Sequence, residues 1–324
     1  MTKQKNRYTF IDLFAGIGGI RIAFEKNKAK CVYSSEWDSD CQITYEKNFG
    51  EKPVGDITKI NPKDVKDHDI LTGGFPCQPF SSIGKRQGFK HPTQGTLFFN
   101  IVRIIDEKHP KAFLLENVPG LKTHDKGNTL KVIKKTLSEE LGYKIYIKVM
   151  NAANHGLPQV RKRLYIVGFS KEYLNSKKIR FNFPKKQKNR IGIGKFIENN
   201  PLDRKYSITE HLQKVYMYKV NDGKPQVVDK NTKYPVKTLV ATYHKIQRLT
   251  GTFVKDGETG MRLLSENECK AIMGFNVYKK LYKKDFVFPV SRTQMYHQLG
   301  NSVAIPVVSK IAKQIIKCLD KAKI

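Results

Sequence analysis

The chain has 324 residues, 39% of them hydrophobic, which allows a sizeable core in two domains or in one large domain with an insertion. Lys and Arg number 60 against 29 Asp and Glu, a formal net charge of +31 that points to a polyanionic partner. Nucleic acid fits that balance better than a membrane does, because no apolar run reaches the roughly 18 residues of a spanning helix.

The polar stretch from Met1 to Arg7 shows no signal peptide and leads straight into a first predicted strand, Tyr8–Phe14. Further strands are predicted at Lys30–Ser34, Asp69–Thr72 and Lys111–Leu115, with helices at Ile20–Lys26, Asp40–Asn48 and Leu97–Lys108. Strand and helix in alternation imply right-handed crossovers and an α/β fold with a mainly parallel sheet. The first strand runs into Phe14-Ala15-Gly16-Ile17-Gly18-Gly19, where glycines permit a tight turn and let backbone N–H groups approach a ligand. Alone, that turn is equally compatible with packing of helix on strand. Glu36 strengthens the ligand reading, because it lies 20 residues past Gly16 at the end of the next strand, where a carboxylate can accept both hydroxyls of a ribose. Trp37 offers an apolar face to a purine, and Asp56 can take an adenine amino group. The glycine spacing departs from GxGxxG, and no basic residue is placed for a pyrophosphate. A nucleoside without a diphosphate therefore fits better than NAD; S-adenosylmethionine is such a ligand.

Asp69–Thr72 continues through Gly73-Gly74 into Phe75-Pro76-Cys77-Gln78. This puts a thiol just beyond the carboxyl end of a strand, where open α/β sheets hold their chemistry. By itself a free Cys is more often a small buried hydrophobe. Glu116 ends the next strand, in Leu114-Leu115-Glu116-Asn117-Val118-Pro119-Gly120, and adjacent parallel strands would aim both residues into one crevice. In Gln159-Val160-Arg161-Lys162-Arg163-Leu164-Tyr165, alternation puts Arg161 and Arg163 on one face, within reach of a phosphate or a base carbonyl. Strand-like runs at Tyr143–Val149 and Arg163–Phe169 follow one another without a helix and predict an antiparallel hairpin at the sheet edge.

Residues 171–190 carry eight Lys or Arg and one Glu, after which the chain becomes loop-rich. The stretch from Asn301 to Ile324 regains helical periodicity through Val307, Val308, Ile311 and Ile315. The expected division is a discontinuous catalytic and cofactor-binding domain over 1–185 and 300–324, a smaller irregular domain over 186–270 and a hinge over 271–299. The five cysteines (Cys31, Cys41, Cys77, Cys269, Cys318) form no CxxC pair, which argues against a disulfide framework or zinc cluster and for a reduced cytoplasmic protein.

Six ordered blocks carry a family resemblance. They are Phe14 to Gly19, Gly74-Phe75-Pro76-Cys77-Gln78-Pro79-Phe80-Ser81, Glu116-Asn117-Val118, Gln159 to Arg163, Arg262-Leu263-Leu264-Ser265-Glu266 through Gly274-Phe275, and Gln298-Leu299-Gly300-Asn301-Ser302-Val303. The chain resembles the cytosine-C5 DNA methyltransferases of bacterial restriction–modification systems, with residues 175–260 left uncovered where that family is variable and reads its target. The resemblance implies a Rossmann-like S-adenosylmethionine-dependent methyltransferase fold and a cytosine flipped out of the duplex. It implies that the Cys77 thiolate adds to C6, that Glu116 hydrogen-bonds N3 and the exocyclic amine, and that Arg163 holds O2. Arg161 would support the site or contact phosphate. Phe14, Ala15, Gly16, Ile17, Gly18, Gly19, Glu36, Trp37, Asp56, Ile57 and Pro76 would line the cofactor pocket, closed by Leu97, Asn301, Ser302 and Val303. Phe75 would border the flipped base, and Ser81, Ser82, Lys85 and Arg86 would belong to a loop closing over DNA. Thr238-Leu239 resembles a dipeptide of the recognition segment, near which His244, Gln247, Arg248 and Thr250 can read base edges or contact phosphate. Double-stranded DNA, an endonuclease acting separately, a monomeric state and no metal complete the expectation.

Three rival readings remain at this level. A tRNA cytosine methyltransferase would keep the chemistry, but the recognition segment lacks the Cys-Phe-Thr tripeptide associated with that branch. A non-catalytic DNA binder has no use for Cys77 beside Glu116 and two arginines. A small-molecule methyltransferase leaves the +31 charge and the variable insert unexplained.

Overall fold

The computed structural model describes residues 8–76, 97–174, 179–198 and 204–323. A six-stranded sheet runs in the order β2-β1-β3-β4-β6-β5. Its strands are β1 (Tyr8–Leu13), β2 (Ala29–Ser35), β3 (Ile70–Gly74), β4 (Ala112–Asn117), β5 (Tyr143–Asn151) and β6 (Lys162–Ser170). β1 pairs in parallel with β2 and β3, and β3 with β4, whereas β6 runs antiparallel to both β4 and β5. The expected hairpin therefore closes one edge of an otherwise parallel α/β sheet. Central strands buried on both faces read as continuous apolar runs, and in β1 alternate residues feed opposite cores: Phe10 packs on one face, Ile11 and Leu13 on the other.

β3 and β4 each extend two residues beyond the predicted ends. Glu116 thus sits within the strand ladder, in register with Gly74 on β3 and Tyr165 on β6, and the pleat rather than a turn sets its direction.

One face is covered by α1 (Gly19–Glu25) and the final helix, Ile305–Lys323. Val307, Val308, Ile311 and Ile315 are buried there, and burial of each side chain stabilises by about 1.5–3 kcal/mol. Asn27 Nδ2 donates to the carbonyl (3.0 Å) and Oγ (3.0 Å) of Ser309, fastening that helix to the end of α1. α2 (Ser39–Phe49) follows β2. The opposite face carries α3 (Leu97–Lys108), which buries Phe98, Ile101, Val102, Ile104 and Ile105 at helical spacing, and α4 (Asn128–Lys135).

Among the described residues between 179 and 264 regular structure is sparse: a short parallel pair, β7 (Gln226–Val228) and β8 (Thr252–Val254), and a helical stretch over 210–217 among turns. Even so, the first core runs without a break through Val236, Leu239, Tyr243, Phe253, Leu264 and Ile272. Among the described residues no helix is long and apolar enough to cross a membrane.

Candidate active site

The carboxyl ends of the parallel neighbours β1, β3 and β4 come out on the same side of the sheet, where open α/β sheets form their crevice. Its first wall is the turn after β1, where Ala15 N–H donates to Ser35 O (2.9 Å) and Gly18 N–H to Ala15 O (2.9 Å). Phe14 adopts φ 55°, a left-handed conformation rare for a bulky residue. Glu36 braces this turn: Oε2 accepts the Gly16 N–H (2.7 Å) and Oε1 the Asp38 N–H (2.9 Å). Burial raises the Glu36 pKa, and the backbone amides of Asp38, Gly16 and Trp37 oppose that shift by favouring the carboxylate. Trp37, beside it, is 75% exposed.

The loop bearing Asp56 lies against the same strand end, held by Glu36 N–H to Val54 O (2.9 Å) and Ser35 Oγ to Gly55 O (3.0 Å). Asp56 Oδ1 accepts the Thr58 N–H (2.9 Å), and this bond lowers its pKa. Ile57 is buried beneath. A residue that sequence reasoning missed secures this loop: Arg103 of α3 donates to the carbonyls of Ile57 and Ile60, while its Nε donates to Asn100 Oδ1 (2.9 Å). A lone Arg inside the apolar run from Phe98 to Ile105 was the available signal.

Ser302 and Val303 close onto α1. A Cβ at Gly19 would stand 2.7 Å from Ser302 Oγ and 2.9 Å from Val303 Cγ2, so only glycine permits this approach. Ala15, Ile17 and Gly18 are buried in the turn, Leu97 is half-buried at the start of α3, and Asn301 and Pro76 are exposed. The structure therefore brings Gly16, Glu36 and the 54–57 loop together and sets Ser302–Val303 against Gly19. An acidic acceptor anchored by backbone, an exposed indole and a tight turn are a donor set that fits a nucleoside cofactor.

At the other end of the crevice, Arg163 Nε lies 3.1 Å from Glu116 Oε1, with both side chains largely buried. Burial raises the Glu116 pKa, and the positive charges of Arg163 and Arg161 oppose it. Asn117 Nδ2 donates to Phe75 O (2.9 Å), which pins the exit of β3 beside Glu116. Phe75 itself is buried, 5.8 Å from Phe98 between ring centroids. Cys77, Ser81, Ser82, Lys85 and Arg86 lie outside the described residues. The four described cysteines, Cys31, Cys41, Cys269 and Cys318, are buried and free, and burial raises each thiol pKa, Cys31 to about 12. Such thiols are poor nucleophiles at neutral pH.

Arg161 and Arg163, expected on one face with different tasks, meet different partners. Arg161 is buried, and its terminal nitrogens donate to the carbonyls of Leu239 (3.0 Å), Gly300 (2.8 Å) and Ser302 (2.6 Å). Of its two expected roles, support of the site fits this geometry; contact with phosphate does not, because those donors are spent inside the protein. Arg248 is a second correction. It was expected to read a base edge or contact phosphate, yet it is buried and donates to the carbonyl of Met217 (2.8 Å) and both carboxylate oxygens of Asp222. A guanidinium so committed has no free fork for a base. His244, Gln247 and Thr250 stay at least partly accessible, and Thr250 Oγ1 donates to Gln247 Oε1 (2.9 Å).

Comparison with known proteins accords with these features. A family described as C-5 cytosine-specific DNA methylase matches residues 8–317. The type II methyltransferase M.MspI of Moraxella sp is 60% identical over 308 residues, covering 95% of this chain and 70% of its own length. M.BsuFI of Bacillus subtilis is 56% identical over 308 residues (94% and 72% covered), and M.HhaI of Haemophilus parahaemolyticus 42% over 332 residues (98% and 97%). In fold, the chain is similar to a crystal structure of Spodoptera frugiperda DNMT2, with a TM-score of 0.74 at 20% identity, over 97% of this chain and 99% of that one.

Proposed function

The chain belongs to the C-5 cytosine-specific DNA methylases and is a DNA (cytosine-5)-methyltransferase; from that premise we propose that it acts on a cytosine flipped out of the duplex, through a covalent bond from Cys77. The observation that carries this reading is the buried Glu116–Arg163 pair beside the exit of β3, which the Asn117 bond to Phe75 pins two residues before Cys77 in the sequence.

C5 of cytosine is a weak nucleophile, and stacking hides the ring, so extrusion costs a few kcal/mol before chemistry begins. Addition of the Cys77 thiolate to C6 breaks the C5–C6 double bond and makes C5 nucleophilic. Glu116, kept protonated to higher pH than a free carboxyl by its burial, donates to N3 as negative charge develops there, and its other oxygen accepts from the exocyclic amine. Arg163, already aligned on Glu116, holds O2. A positive charge beside the thiol would favour the thiolate. Once C5 carries the methyl group that S-adenosylmethionine would supply, loss of the C5 proton to a base re-forms the C5–C6 double bond and expels Cys77 as its thiolate.

S-adenosylmethionine, when bound, supplies an electrophilic methyl group. The residues that would hold it are Glu36 for the ribose, Trp37 for the purine face and Asp56 for the adenine amine, with the turn from Phe14 to Gly19 beneath and Ser302–Val303 closing. We assign residues 1–185 and 300–324 to catalysis, 186–270 to target recognition and 271–299 to a hinge. The enzyme would serve a restriction–modification pair as a monomer on cytoplasmic DNA, with its endonuclease acting separately.

The test is bisulfite sequencing of a plasmid incubated with the purified protein and S-adenosylmethionine. Protected cytosines in one recurring context are expected. A fully converted plasmid alongside intact cofactor binding would redirect the assignment to tRNA or to a non-catalytic binder.

A further inference from the structure

Leu239 is held in an unusual way. Its backbone N–H and C=O are both bound by side chains rather than by a strand or helix. The N–H donates to Gln159 Oε1 (2.9 Å), and the carbonyl accepts from Arg161 Nη1 (3.0 Å). Gln159 and Arg161 flank a tight turn in which the Arg161 N–H donates to Gln159 O (3.0 Å), so one short stretch presents both grips. Both side chains are buried. Their other donors fasten the clamp to the rest of the molecule: Gln159 Nε2 donates to the Ile272 carbonyl (3.1 Å), and Arg161 Nη2 to those of Gly300 and Ser302. Backbone bonds from Val236 N–H to Pro158 O (2.8 Å) and from Val160 N–H to Val236 O (2.8 Å) lead into it. Thr238 Oγ1 adds a bond to Val160 O (2.6 Å).

What leaves the clamp is the segment carrying His244, Gln247 and Thr250. Its departure is constrained as well, since a Cβ on Gly300 would stand 2.3 Å from Ala241 N. On the catalytic side, Arg163 follows Arg161 by two residues and pairs with Glu116. One short stretch, 159–163, therefore touches the recognition segment, the 300–302 closure and the catalytic carboxylate.

We propose that Gln159 and Arg161 are specificity-determining positioning residues: by gripping the two peptide groups that flank Leu239, they set the register of the base-reading segment over the catalytic crevice. The inference rests on the methyltransferase reading given under Proposed function. Removing either grip leaves a buried backbone group of Leu239 unpaired, and the segment relieves that cost by shifting. A displacement of about 1 Å is enough to spoil precisely aligned contacts.

The test compares wild type, Gln159→Leu, Arg161→Lys and the double variant on plasmid DNA with S-adenosylmethionine. Bisulfite sequencing gives the ratio of methylation in the wild-type context to methylation in contexts differing by one base pair. Each single variant is expected to lower that ratio by about tenfold, the scale of one mismatched pair. The double variant should lower it little further, because both grips act on the same residue. A merely structural role reduces the amount of active enzyme and leaves the ratio unmoved; an unchanged ratio, or fully additive effects, overturns the proposal. Should one variant fail to fold by circular dichroism, the other decides alone. A wild-type plasmid without protected cytosines would instead remove the underlying methyltransferase reading.

Discussion

The two ends of the crevice are built on different principles. The cofactor end has a local heart, one strand, its turn and the next strand's terminal carboxylate, joined by backbone amides across 20 residues between Gly16 and Glu36, and only its closure by Ser302–Val303 and its Arg103 brace come from afar. The catalytic and recognition end is assembled from afar. Arg161 reaches carbonyls 78, 139 and 141 residues away, and Asn117 reaches back 42 residues to Phe75. Local construction makes a site that forms with its supersecondary unit. Long-range construction makes one that exists only when the whole core is packed, and it exposes function to substitutions that touch neither substrate nor cofactor.

That contrast yields tests in which one end fails while the other survives. The largest effect is expected for Cys77→Ser, which should lower methylation by several orders of magnitude while S-adenosylmethionine and DNA binding persist. Loss of DNA binding in this variant would show that Cys77 also builds the fold. Glu116→Gln should lower kcat by roughly 10²–10³-fold. Its pH profile is more telling. Burial raises the Glu116 pKa, so the wild-type proton is retained to higher pH than in a free carboxyl and is lost as pH rises through the folded value. Activity should therefore fall on that high-pH limb in wild type, and the limb should be absent from Glu116→Gln. An identical limb in both would assign it to another group.

Glu36→Ala strikes the opposite end. It strands the Gly16 and Asp38 amides, each at about 1–3 kcal/mol, and should weaken cofactor binding roughly ten- to hundredfold with little change in DNA affinity. Equal losses of both, read by calorimetry, would mean that the ends are not separable. The smallest effect is expected for neutralising Lys185, Lys186, Lys188 or Arg190. Where such a residue contacts phosphate, DNA binding should weaken and the slope of log K against log salt should flatten by about 0.9 per charge, with the methylated context unchanged. A changed context would show that this stretch reads bases.

Much of this molecule was legible in its sequence because the signals are short-ranged. Strand and helix alternation, the glycine turn after Leu13, the spacing of Glu36 and the position of Glu116 at the end of a strand all follow from local periodicity and backbone stereochemistry. Only the tertiary structure decided what the long polar side chains do. Arg161 and Arg163 look equivalent by alternation, yet one is consumed by three carbonyls and the other faces Glu116. Arg248 turns inward to Asp222, Arg103 secures the loop beneath Asp56, and Gln159 holds Leu239. The reason is physical: a buried donor must find an acceptor, and the acceptors that claimed these side chains are mostly backbone carbonyls whose positions no local pattern encodes.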